Sequence, residues 1–371
     1  MAKKSISIIT TDITNSAGTE RVLASVSNFL ADSYKIKIYS MATKSGPPFF
    51  TVDNRVEIHH MGLLGYHGNK GVLSKCYKKI SNTLRIPFLL RNIDSDLIIG
   101  MSKNINIYLV LFRFFLKNNP KIIGCEHFAA NRPMGRIITI IRNLSYKKLN
   151  RLVVLTKHDY DYYKKHGVSL SLIPNFIPTE IENASANITY DSNTKVLLAV
   201  ARHTEQKRID LLLSIWAKIA DNNNNWKLVI VGDGELLERN IELSKILGIE
   251  KKTEFIRPQS DIYNYYKRAS IFLLTSDYEA LPMVLLEASA FGLPCISFDC
   301  DTGPRDIITH NYDGFLIKPG NLGDYTNFLQ ILIDDEKKRL QFSINARENS
   351  MNFTLRKISP LWLEMLKDIE V

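Results

Sequence analysis

A chain of 371 residues exceeds one ordinary hydrophobic core and predicts two domains. Its 45% hydrophobic and 23% charged residues exclude a disordered or low-complexity chain. The net charge of +10 is uneven, because residues 1–180 carry 26 Lys and Arg against 11 Asp and Glu, so the first half suggests an anionic partner (a phosphorylated acceptor, a membrane surface or nucleic acid), the alternative being solubility alone.

Met1 to Asp12 holds an apolar stretch too short and interrupted for a signal peptide. Ser5–Thr10 is a strand candidate, followed by a loop through Asn15, Ser16 and Gly18 and a helical pattern from Glu20 to Leu30. Lys35–Ser40, Asp96–Gly100, Ile122–Cys125 and Leu152–Leu155 are further strand candidates. The longest apolar run, Ile105 to Leu116, contains Arg113 and falls short of the ~20 residues that span a bilayer. Two prolines, Pro174 and Pro178, mark an extended crossing segment, with a linker at about residues 175–193. Beyond it, Lys195–Ala201, Lys227–Val231, Ile271–Thr275 and Pro294–Phe298 alternate with helical patterns. This alternation predicts an α/β class with parallel sheets covered on both faces. The amphipathic segment Phe353 to Ile369 is expected to be a helix.

Cys76, Cys125, Cys295 and Cys300 form no CxxC pair or zinc spacing. Cys125 and Cys295 lie in apolar runs and read as buried thiols, a pattern of reducing compartments. A cytoplasmic protein, peripheral to a membrane, is expected.

The most informative run is Asp277-Tyr278-Glu279-Ala280-Leu281-Pro282-Met283-Val284-Leu285-Leu286-Glu287-Ala288. Pro282 fits a first helical turn and Gly292 the helix end. Glu279 then lies in the loop before the helix, where free N–H groups and a carboxylate can grip a polyhydroxylated ligand. Glu287 sits among apolar neighbours and needs a partner, for which ligand hydroxyls are suited.

Other segments join this run in order along the chain: Ser16-Ala17-Gly18-Thr19-Glu20-Arg21-Val22, Cys125-Glu126-His127, Val153-Val154-Leu155-Thr156 and Ile173-Pro174-Asn175. In the second half they are Ala199-Val200-Ala201-Arg202 with Gln206-Lys207-Arg208, Val231-Gly232-Asp233-Gly234, and Thr302-Gly303-Pro304-Arg305-Asp306-Ile307-Ile308. Together they resemble the retaining family-4 glycosyltransferases of the GT-B fold, of the type found in bacterial polysaccharide and lipid-linked oligosaccharide biosynthesis.

The resemblance implies two Rossmann-like domains facing across a cleft. Residues 1–178 would bind the acceptor and residues 179–352 a nucleotide sugar, with a C-terminal helix, residues 353–371, packing back on the first domain. It assigns Arg202 and Lys207 to the donor diphosphate, where charge grows as the bond breaks. Gly18 would let backbone approach the donor, although Ala17 replaces a glycine the family often has. His127 would contact the donor sugar near the reacting centre, Glu279 the sugar hydroxyls and Glu287 the ribose. Arg257, Leu281, Pro282 and Met283 complete the implied donor site; near Arg257 and Pro258 the family usually has a glycine. The region from Asp299 to Pro304 resembles UDP-sugar users. Catalysis would thus rest on His127, Glu279, Arg202 and Lys207, with no cofactor and no metal. Asp299, Asp301 and Asp306 cluster, but Asp299 and Asp301 read as sharing one side of a strand end without a third ligand. Resemblance also favours front-face attack, the departing phosphate oxygen taking the acceptor proton.

Expected partners are the nucleotide sugar, a saccharide acceptor linked to a polyprenyl diphosphate, and an anionic membrane reached through two basic amphipathic segments, Lys70 to Arg91 and Arg132 to Arg151. In the alternative, those apolar faces pack on the first sheet and leave only a solvated charged face. A nucleotide-sugar epimerase or hydrolase on the same fold, and a basic nucleic-acid-binding protein, compete with this function; no nucleic-acid-reading motif appears, and no nucleic acid partner is expected.

Overall fold

The computed structural model describes residues 3–41, 46–63, 72–130, 135–191, 193–259 and 261–370, and of 72–79 the backbone alone. Expectations placed on Lys70, Arg132 and the side chains of Val72, Leu73, Lys75, Cys76, Tyr77, Lys78 and Lys79 lie outside the described residues. The chain forms two compact units, one of Met1–Pro174 with Ser359–Val371 and one of Asn175–Ile358.

The first unit runs β1 (Ser5–Thr10), α1 (Gly18–Leu30), β2 (Lys35–Ser40), β3 (Glu57–His60), α2 (Val72–Leu90), β4 (Leu97–Gly100) and α3 (Lys103–Leu111). It continues through β5 (Lys121–Cys125), α4 (Arg136–Tyr146), β6 (Arg151–Val154), α5 (Lys157–Lys165) and β7 (Leu170–Leu172). Its seven strands pair in parallel in the order β3-β2-β1-β4-β5-β6-β7. Ile8 lies between Ile38 and Ile99 on one face of the sheet, and the adjacent Ile9 is buried on the other, so the central strands are covered on both faces. Cys125 is buried there.

The second unit opens on α6 (Thr179–Ser185), so a helix occupies part of the expected linker. Then come β8 (Val196–Val200), α7 (Ile209–Ala217), β9 (Lys227–Val231), α8 (Leu237–Ile246), β10 (Thr253–Ile256), α9 (Tyr263–Lys267) and β11 (Ile271–Leu274). It ends with α10 (Met283–Ala290), β12 (Cys295–Phe298), α11 (Pro304–Ile307), β13 (Gly314–Ile317), α12 (Leu322–Asp334), α13 (Glu336–Ser350) and the start of α14 (Leu355–Asp368). Six parallel strands take the order β10-β9-β8-β11-β12-β13 around a core of Trp216, Phe298, Phe315 and Tyr325. The strand order reverses between β8 and β11, and such a switch point opens a crevice at the carboxyl ends of the strands.

Two local expectations need correction. Pro282 does not enter the helix; with ψ at 113° it is the extended residue before Met283. Asp299 and Asp301 do not alternate on a strand, because β12 stops at Phe298, and Asp299 accepts a 2.9 Å hydrogen bond from Arg305.

Candidate active site

In the second unit, the loops after β8 and β11 meet at the switch point. Gly232 follows β9, and a side chain there would collide with the Ala201 carbonyl, so only glycine lets this strand end close on the backbone before Arg202. Arg202 is exposed and has no ion-pair partner among the described residues. Lys207 ends a short 3-10 turn, and Arg208 follows with φ at 48°, a left-handed conformation unusual for a side-chain-bearing residue. Thr275 holds that bend, its hydroxyl donating to the carbonyls of Lys207 at 3.1 Å and Arg208 at 3.0 Å. Arg208 is also tied to Asp210 and Asp277.

The same bend delivers Lys207 to Glu279, with 2.5 Å between Nζ and Oε1. Gln206 donates to the Tyr278 carbonyl at 2.7 Å, and Asp277 N–H donates to the Gln206 carbonyl at 2.9 Å. Glu279 is largely buried, and Thr302 donates to its carbonyl at 2.6 Å. Gly303, with φ at 91°, presses on the Ala280 carbonyl where a side chain would collide. Its N–H donates to Asp306. Thr302 and Gly303 therefore set the position of Glu279, a role that sequence alone does not assign. Their signal was the Thr-Gly-Pro run itself.

Glu287 is 2% exposed on α10, and its Oε2 accepts the Tyr266 hydroxyl at 2.8 Å. The partner required by its apolar surroundings is thus supplied at least in part from within the fold. Leu281, Pro282 and Met283 are buried at the start of α10, and Asn175 donates to the Leu281 carbonyl at 3.2 Å. Arg257, past β10, pairs with Asp233, past β9, at 2.6 Å. The Gly234 N–H and this guanidinium hold the Asp233 carboxyl below the usual range. The second unit thus brings Lys207 and Glu279 into contact, keeps Arg257 on the carboxyl-end side of the same sheet, and sets Glu287 beneath the surface.

In the first unit, Gly18 is the exposed first residue of α1 and follows β1. Glu20 is buried in the first turn, with the Thr10 hydroxyl 3.4 Å from Oε1, so a carboxylate already sits at this helix end. His127 follows β5. Its buried Nε2 has no hydrogen-bond partner among the described residues, and burial lowers its pKa to about 4, leaving a neutral imidazole at pH 7. The preceding Glu126 is buried and raised by desolvation. Its Oε2 accepts the Tyr146 hydroxyl at 2.6 Å and lies 3.5 Å from that of Tyr163. These tyrosines fasten α4 and α5 to the strand end that carries His127, an arrangement that a lone Glu-His pair in sequence does not disclose.

Two cations at the carboxyl ends of a parallel sheet, one exposed and one balanced by a carboxylate, suit a ligand that joins a polyanion to hydroxyl groups. Among the described residues no three His, Cys, Asp or Glu converge in a way that would hold a metal ion.

The sequence pattern of the family described as Glycosyl transferases group 1 matches residues 180–349. An uncharacterized glycosyltransferase of Haemophilus influenzae is 31% identical over 98% of this chain and 100% of that protein. The amylovoran biosynthesis glycosyltransferase AmsD of Erwinia amylovora is 30% identical over 97% of this chain and 98% of its own. A 27% identical relative from Campylobacter jejuni, covering 96% of both chains, bears the name GalNAc-alpha-(1->4)-GalNAc-alpha-(1->3)-diNAcBac-PP-undecaprenol alpha-1,4-N-acetyl-D-galactosaminyltransferase. In fold, the chain is similar to a Staphylococcus aureus TarM structure solved with fondaparinux, alpha-GlcNAc-glycerol and UDP. That similarity has a TM-score of 0.81 at 15% identity, over 99% of this chain and 100% of the other.

Proposed function

The chain belongs to the Glycosyl transferases group 1 family, and from that premise we propose that it moves a hexose or N-acetylhexosamine from a UDP-sugar, with retention, to a lipid-linked saccharide in cell-surface polysaccharide assembly. The contact between Lys207 and Glu279 beside the exposed Arg202 carries this reading. In it, the two cations neutralise the diphosphate leaving group, and charge stabilisation there grows as the glycosidic bond lengthens. Glu279 accepts hydroxyls of the transferred sugar, and its proximity to Lys207 ties sugar recognition to phosphate recognition. Glu287, steadied by Tyr266, faces the ribose. Retention follows from attack on the face the nucleotide leaves, the departing phosphate oxygen taking the acceptor's proton. The neutral imidazole of His127 serves as a hydrogen-bonding group beside the sugar.

A lipid-linked acceptor is supported by the name of the Campylobacter jejuni relative and by the basic first half of the chain. It places the enzyme at the cytoplasmic face of a membrane, attached peripherally through the first unit. Donor identity is tested by melting the protein with UDP, GDP and ADP and with UDP-sugars. UDP and one UDP-sugar should raise the melting temperature in proportion to the logarithm of concentration. A shift with GDP or ADP but not UDP would sink the UDP assignment. Product anomeric configuration, read by NMR, tests retention.

A further inference from the structure

Helix α4 is built inside out. Ile137, Ile140, Ile141 and Leu144 stand at spacings of three and four residues and form the stripe that a surface helix ordinarily buries. Here that stripe faces outward: Ile137 is 74% exposed, Ile140 57% and Leu144 58%, with Ile138 and Ile141 exposed beside them. The side turned inward carries Arg142, Ser145 and Tyr146. Arg142 is 1% exposed; its guanidinium donates to the Ala130 carbonyl and the Tyr162 hydroxyl, both at 3.0 Å, and lies over the rings of Tyr162 and Tyr163. Tyr146 is held by Glu126. These polar anchors fix the helix in this rotation, so the apolar stripe is not a core face that has failed to close.

Arg142 therefore leaves the set of surface charges read from sequence, and so does Arg151, which lies in β6 with Asp368 3.8 Å away. Arg136, Lys147 and Lys148 remain exposed at the two ends of α4. Neighbouring elements also carry exposed apolar side chains. α4 packs on α3, and the turn Arg113–Phe115 after α3 packs on α2. Leu111, Phe114, Ile80, Leu84 and Phe88 are exposed along that route. None of α2, α3 and α4 contains an Asp or Glu. A second copy of the same face would meet like charge, whereas an anionic bilayer matches both the cations and the aliphatic stripe.

We propose that α4 lies in the interface of an anionic lipid bilayer, its Ile137, Ile140, Ile141 and Leu144 side chains inserted among acyl chains and Arg136, Lys147 and Lys148 on the headgroups. This extends the membrane placement proposed above by naming the inserted element and a mode of binding, insertion beyond adsorption. Among the described residues no helix is long and apolar enough to cross a membrane, so attachment here is parallel to the surface.

The test is co-sedimentation of the full chain with vesicles of phosphatidylcholine alone or mixed with phosphatidylglycerol, without donor or acceptor. The unaltered chain should bind the mixed vesicles and retain part of that binding in high salt. The double variant Ile137→Ser with Ile141→Ser should bind at least about tenfold more weakly, while its melting temperature stays that of the parent. Lys147→Glu with Lys148→Glu should weaken binding and flatten its salt dependence. Mixed-vesicle binding that the serine variant keeps in full, or that salt abolishes entirely, overturns insertion by α4 and leaves a membrane location standing. Absence of binding by the unaltered chain overturns both. Self-association that the serine changes abolish, without vesicle binding, assigns the stripe to a second copy and overturns the proposal. The donor assignment is read separately, from nucleotide-dependent melting.

Discussion

The Lys207 ammonium lies 2.5 Å from the Glu279 carboxylate, and both side chains are mostly withdrawn from water. Arg202, a few residues earlier, stands in solvent without a partner among the described residues. The two cations assigned to one diphosphate therefore differ in what their removal does to the fold. Arg202→Ala should reduce turnover by about 10²-fold and leave the melting temperature unchanged. Lys207→Ala should reduce turnover comparably and also destabilise the protein by about 3 kcal/mol, because Glu279 is left buried without its counter-ion. Steady-state kinetics paired with calorimetry separates them; equal melting temperatures for the two variants would contradict the pairing.

Glu279 both restrains Lys207 and, in the proposed mechanism, holds the sugar. Glu279→Gln should separate those roles. Free UDP should bind a few fold more tightly, since the ammonium no longer faces a carboxylate. Turnover of the UDP-sugar should fall by about 10²-fold as hydroxyl acceptance is impaired. Titration calorimetry with UDP and a turnover assay with the sugar nucleotide check the two signs; weaker UDP binding would show that the carboxylate does not compete with phosphate for Lys207.

Gly303 occupies a left-handed conformation against the Ala280 carbonyl. Gly303→Ala adds a methyl group that has no room and a backbone angle that alanine resists. The loop holding Glu279 must then shift, so stability should fall by roughly 1–3 kcal/mol and nucleotide binding with it. By contrast, Gly320→Ala, where φ is also positive but nothing lies within 4 Å, should cost less and leave nucleotide binding alone. Equal effects at the two glycines would remove the packing argument.

His127 offers a pH test. Its folded pKa of about 4 lies below the ordinary histidine value of 6.5, so between those values the unfolded chain binds the extra proton. The stability associated with a neutral imidazole is present above pH 6.5 and is lost as pH falls toward 4. His127→Gln cannot titrate there. The melting temperature of the unaltered chain should therefore drop relative to the variant, by ~2 °C or more, across that window. His203, whose pKa burial also lowers, is the same in both proteins and cancels from the comparison. A constant difference from pH 7 to pH 4 would mean that His127 is not buried neutral.

Legibility in the sequence followed burial. The central strands, such as Ile6–Ile9 and Leu228–Val231, are covered on both faces and announce themselves as apolar runs. Among the described strands, the edge strands β3, β7 and β10 lack such a signal, whereas the edge strand β13 carries the apolar run Phe315-Leu316-Ile317 and yet is not among the strand candidates. Glu57-Ile58-His59-His60 needs an apolar residue on only one side, and Leu170–Leu172 is three residues long. Arg202, Lys207 and Glu279 are named through the family resemblance, and the fold adds the contact between Lys207 and Glu279 at two strand ends. The Thr302 and Gly303 contacts were not legible, since they join residues more than twenty positions apart through carbonyl groups. Nor does periodicity say which way a stripe faces: α4 has the pattern of a core helix, and only Arg142 and Tyr146 decide its rotation.

Helix α14 starts in one compact unit and finishes in the other. From Ser359 onward it gives buried Trp362, Met365 and Leu366 to the unit that begins at Met1, where Lys4 reaches the Glu370 carbonyl. During synthesis the first 174 residues leave the ribosome well before these side chains exist. The unit Asn175–Ile358 is continuous in sequence and can close as soon as its own strands have emerged. The half translated first is therefore completed last, and a nascent chain halted at Ile358 would pair a finished second unit with a first unit still lacking its closing helix.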